Sequence, residues 1–129
     1  MWPFGKKSRT LELPPRHEQS WSVAVAEDDG GALVVRCNQT ARTWAGHADF
    51  PIRLGFAIPF NHPNERELPS PEENAQLAPI EDLIADNVAA AIAGVHTLTL
   101  TSGVMKEMVF YIAAGADIAK LHQGSKRRC

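Results

Sequence analysis

Residues 70–94 constrain this chain more than any other stretch. Ser70 offers a side-chain oxygen for a helix N-cap, Pro71 suits the first helical position, and Glu73 stands where a capping box places its acid. Leu77, Ile80, Ile84, Val88 and Ala91 recur at helical spacing, and Leu83 and Ile92 widen the stripe. Gly94 is placed for a left-handed C-cap. A helix with a single apolar stripe must bury it against another element, and the flanking sequence offers strands. Pro79 is the one local conflict, because a proline in a regular helix interior costs about 3 kcal/mol. At ~100° per residue it falls on the side away from Ile80 and Ile84. Helices curve convex to solvent and lengthen their outer bonds there. The pattern therefore predicts one kinked helix, not two.

The segments on either side alternate with the period of strands. Trp21, Val23 and Val25 alternate with Ser22, Ala24 and Ala26, and Asp28-Asp29-Gly30-Gly31 forms a turn cluster. Ala32 to Cys37 follows, with Leu33, Val35 and Cys37 on one face and Val34 and Arg36 on the other, so the two segments predict a hairpin. Residues 38–51 are polar and read as a loop that Trp44 and Phe50 pin to the core. In Ile52 to Phe60 the large apolar side chains take every second place, and Pro59 marks an edge strand or a bulge. After the helix come the strands Val95 to Thr101 and Met105 to Ile112, then a second helix from Ala114 to His122. The order predicts an α+β fold with one antiparallel sheet and helices on one face. Its polar face is expected to carry Arg36, Arg53, Thr97, Thr99, Thr101 and Tyr111.

A chain of 129 residues, 44% of them hydrophobic, is one domain's worth and can form a modest core. We divide it into a basic arm (1–20), a single domain (21–123) and a basic tail (124–129). The arm and tail together hold seven Lys/Arg and two acids, whereas 21–123 holds six Lys/Arg and thirteen acids. An acidic body argues against a nucleic-acid platform, which needs clustered Lys and Arg. No apolar run is long enough to span a membrane, and the first residues lack a secretory leader. Two cysteines, Cys37 and Cys129, make no disulfide framework and fit a reducing, cytoplasmic setting, with Cys37 expected to be buried.

Several stretches carry a resemblance. Trp21-Ser22-Val23, Val34-Val35-Arg36-Cys37-Asn38, Phe50-Pro51-Ile52-Arg53-Leu54-Gly55, Ile58-Pro59-Phe60-Asn61, the run from Leu68 to Ile84 and Val109-Phe110-Tyr111 resemble the bacterial domain-of-unknown-function family 695 over residues 20–122. Some members of that family look like the regulator of ribonuclease E activity B, a small protein inhibitor. The resemblance implies a ferredoxin-like two-layer sandwich and names no chemistry. Family members usually continue into a further strand where this sequence ends in GSKRRC. The resemblance therefore implies a sheet lacking its final strand, and with it a homodimer through the open edge.

No catalytic, cofactor or metal motif stands out. His17, His47, His62, His96 and His122 have no ligand spacing among themselves or with a cysteine. His47-Ala48-Asp49 could form a general-base pair, but a solvated turn is the simpler reading. No serine has a nucleophile-elbow context, and no phosphate loop is present. The chain is accordingly read as a non-enzyme without cofactors. Its first functional reading is a regulatory protein-interaction module. The docking residues would be Glu72, Asp82 and Asp86, on a helix with no Lys or Arg from Ser70 to Gly94. The alternative is a small-molecule anion binder using Arg36, Arg53 and Tyr111 on the polar sheet face.

Overall fold

The computed structural model describes residues 18–28, 31–42, 44, 47–64 and 67–124. Most of the arm, the tip of the first turn and, beyond Gly124, the tail assigned from sequence lie outside them. Five strands, β1 (Trp21–Asp28), β2 (Gly31–Asn38), β3 (Ile52–Pro59), β4 (Gly94–Thr101) and β5 (Met105–Ile112), form one sheet in the order β1-β2-β4-β5-β3. Every neighbouring pair is antiparallel. Helix α1 (Pro71–Ala91) links β3 to β4, and helix α2 (Ile118–Gly124) follows β5. The result is a two-layer α+β sandwich. The β1–β2 hairpin widens the sheet beyond β4, and β3 forms the other edge.

Both helices pack on one face. Leu54, Phe56 and Ile58 of β3 and Met108, Phe110 and Ile112 of β5 meet Leu77, Ile84, Ala85 and Val88 of α1 and Leu121 of α2. These strand residues alternate because side chains on a strand point to opposite faces in turn. The covered ground is β3, β5 and the near side of β4. Lys106 and Glu81 tie α1 to β5 through an ion pair of 2.9 Å. On the opposite face a smaller cluster forms, in which Trp44 and Ala41 lie on Val95 with Phe50 and Tyr111 packed alongside. The loop is thus pinned as its aromatics suggest, but under the sheet and not against the helix.

The helix runs unbroken through Pro79, which is exposed. Ser70 accepts the Glu73 N–H at 3.1 Å as the N-cap should. The Glu73 carboxylate reaches to the turn after β3, where it accepts from Asn61 N–H at 3.3 Å and His62 N–H at 3.0 Å. Several sequence expectations need correction. The helix ends at Ala91 with Ile92 as an extended C-cap, while Gly94 begins β4. A side chain at Gly94 would come within 2.6 Å of Ile112 Cγ2, so strand packing requires the glycine there. Leu83 and Ala91 are exposed, Cys37 is half-buried, and α2 starts at Ile118 rather than Ala114.

The largest departure lies in β4. A bulge between His96 and Leu98 adds Thr97, whose hydroxyl donates to Val109 O at 3.0 Å. An extra residue reverses the alternation beyond it. Val95 therefore faces Trp44 on one side, while Thr99 and Thr101, beyond the bulge, turn to the helix side. The single polar face inferred from sequence does not exist.

Candidate functional site

Because α1 covers only part of the sheet, its flank stands above a shelf of β1 and β2 that no helix among the described residues covers. Trp21, Arg36, His96 and Met108 floor a groove of about 510 Å³, and Glu81, Asp82, Ala85 and Asp86 form its wall. The floor is ordered by ring contacts. The Arg36 guanidinium carbon lies 5.0 Å from the Trp21 ring centroid. Trp21 meets His96 edge-on at 4.9 Å, and His96 stacks on Phe110 at 4.7 Å. The His96 ring is also held by Nε2 to Thr99 Oγ1 at 2.9 Å. Asn38 holds the backbone beneath, donating to His96 O at 2.9 Å and to Gln19 Oε1 at 2.6 Å.

The wall is acidic. Glu81, Asp82 and Asp86 line it; Glu81 pairs with Lys106, and Asp82 and Asp86 have interactions of their own. Among the described residues that line the groove, Arg36 supplies a cation on the floor. An aromatic floor beneath carboxylates suits a guanidinium or ammonium group, through ring-face attraction and ion pairing together.

The site residues expected from sequence are divided by the fold. Asp82 and Asp86 share this wall, whereas Glu72, in the first turn of α1, lies about 15 Å away along the axis at 1.5 Å per residue. Arg36 is on the groove floor, on the helix side. Arg53 and Tyr111 are cross-strand partners on the other face, and Tyr111 packs toward Trp44. β2 and β3 are three strand spacings apart, roughly 14 Å, so one anion cannot be held by all three residues. His47 Nδ1 accepts the Asp49 N–H at 3.0 Å, the arrangement of a closed turn rather than of a poised base. Among the described residues no cluster of His, Cys, Asp or Glu could hold a metal, and no helix is long and apolar enough to cross a membrane.

Sequence reasoning missed Trp21, His96 and Glu81 as site residues. Trp21 carried the one usable signal, a large aromatic opening a strand whose next five residues are small or β-branched. Comparison with curated proteins and with solved structures returns no match. A family model described as a family of unknown function, DUF695, matches residues 19–126, which span the whole sheet and both helices, and the chain belongs to that family.

Proposed function

We propose that this chain is a protein-interaction module, regulatory in role and working in the cytoplasm, that docks a basic, extended segment of a partner protein in the groove beside α1. One observation carries the reading. Asp82 and Asp86 project over an aromatic shelf that no element among the described residues covers. Carboxylates at such a rim steer a cationic partner and set its register, and the rings supply contact area at low entropic cost. The hydroxyl–imidazole contact at the groove, Thr99 with His96, has its hydroxyl residue fully buried, and no group of His, Cys, Asp or Glu among the described residues could hold a metal, so we read a binding role rather than a catalytic one.

The test uses a fluorescent arginine-rich peptide and measures its anisotropy with the full chain. Binding should weaken as salt rises from low to physiological, because exposed charges are screened beyond about 8 Å at physiological ionic strength. Asp82→Lys with Asp86→Lys should abolish binding while leaving the melting temperature near that of the parent. Binding that survives this reversal at low salt removes the groove as the site.

A further inference from the structure

The two edges of the sheet are built differently. At β3 the edge is interrupted: Arg53, Gly55 and Pro59 lie along it, and the His122 ring contacts Gly55 O at 2.8 Å through Nε2. Prolines, charges and capping groups of this kind keep a strand edge from recruiting another strand. Among the described residues none of these stands along β1 from Trp21 to Ala26. It pairs with β2 through eight consecutive residues without a bulge. Its charged residues, Glu27 and Asp28, stand at one end. Val23 and Val25 are 62% and 65% exposed.

The hydrogen-bond phase of the open edge can be worked out. Gln39 N–H donates to Ser20 O at 2.7 Å, so Ser20 faces β2. Antiparallel ladders alternate, so Ser22, Ala24 and Ala26 also bond to β2. The N–H and C=O groups of Trp21, Val23, Val25 and Glu27 then point outward. Only one antiparallel self-pairing satisfies all four, namely Trp21 opposite Glu27 and Val23 opposite Val25 of a second copy, with Ala24 facing Ala24 across the two-fold axis. In that register no like charges are opposed, whereas a parallel pairing would set the two acidic ends side by side. The four valines form one patch on the helix side. Glu27 of the second copy also arrives beside Trp21, on the side where Arg36 already lies.

We propose that β1 is a dimerisation edge, through which two copies of this chain pair antiparallel about Ala24, with Glu27 of each copy joined to Arg36 of the other. The proposal does not rest on the docking reading, although its ion pair shares Arg36 with the groove floor, and it places the contact at the opposite edge from β3. One eight-residue edge makes a small interface, so the dimer is of the weak, concentration-dependent class.

Sedimentation of the full chain over a range of concentrations tests assembly. A dimer that grows with concentration is expected, and Val23→Lys with Val25→Lys should return it to monomer with unchanged circular dichroism. Glu27→Arg should weaken the dimer at least several-fold, and adding Arg36→Glu should restore it. Geometry is tested by cysteine pairing in a Cys37→Ser, Cys129→Ser background. Ala24→Cys should cross-link two chains rapidly, because directly opposed residues at a non-hydrogen-bonded site are about 4.5 Å apart at Cα. Ser22→Cys, four residues from its own copy in this register, should not. A monomer at every concentration, a dimer that survives the lysine pair, or cross-linking at Ser22→Cys in preference to Ala24→Cys would each overturn the proposal.

Discussion

The sheet has two halves that follow the same local rules and end in opposite states. In β3, β5 and the near side of β4, every second residue is buried under α1 or α2, and Leu77, Ile84 and Ile112 are almost wholly removed from water. In β1 and β2 the alternation is equally regular, yet Val23 and Val25 lie open and no residue from Trp21 to Glu27 is buried. Stability is therefore concentrated on one side and available surface on the other. Alternating apolar residues mark a strand that has a preferred face, and only packing shows whether that face is covered within the chain.

The largest test of this contrast is a pair of truncations. Ile84→Ala should cost about 2–5 kcal/mol and Phe110→Ala about 3–5 kcal/mol by urea unfolding, because each leaves a cavity. Val25→Ala should stay within about 0.5 kcal/mol, as surface changes do. Similar losses at Ile84 and Val25 would mean that the hairpin is as well covered as the rest of the sheet.

The pair Lys106 and Glu81 lies at the boundary between the halves, with side-chain exposures of 9% and 17%. Lys106→Ala should cost about 3 kcal/mol, since it strands a poorly hydrated carboxylate. Lys106→Met with Glu81→Leu should recover most of that loss in the same assay. If the double change is as damaging as the single one, the pair contributes attraction beyond its own desolvation.

A smaller loss is expected at Glu73, which is 3% exposed and accepts the Asn61 and His62 N–H groups. Glu73→Ala should cost about 1–3 kcal/mol by leaving those donors unsatisfied, and it should loosen the β3 end of the covered half first. Pro79→Ala should go the other way and raise stability by up to about 1 kcal/mol, less than the cost of a proline in a regular helix because this helix has already relaxed around it. A loss on that substitution would show that Pro79 starts a second helix.

The finest distinction is in hydrogen exchange. In dilute protein the Val23 and Val25 amides should exchange quickly while Ala24 and Ala26 are slow, and β5 amides should be slowest of all because that strand is paired on both sides and carries Met108, Phe110 and Ile112 of the main core. Protection of Val23 and Val25 that appears as concentration rises would mark the open edge as occupied.

Much of this fold was legible because its signals are local. Ser70 and Pro71 begin the helix where they stand, and the alternation in Ile52 to Ile58 shows a strand without knowledge of its neighbours. The hairpin is local too, since its strands adjoin in sequence and pair directly. The site was less legible. Asp82 and Asp86 could be placed together from helical spacing, but the floor beneath them comes from residues 21, 36 and 96, which the sequence sets far apart. The separation of Arg36 from Arg53 and Tyr111 was hidden for a related reason. Strand parity can be read within a strand, but it passes between strands only through the register.

The sequence by itself determined which segments are helix and strand, where α1 begins, and that the body is acidic, because caps, side-chain periodicity and charge act over a few residues or need no structure at all. Tertiary structure alone decided the strand order, the turn of β4 about Thr97, the exchange of Gly94 from helix cap to close-packed strand residue, and the exposure of the hairpin. Each of these depends on which non-local surfaces meet. An apolar side chain gains the same free energy from leaving water wherever it is buried, so the pattern that requires burial carries no information about the partner that provides it.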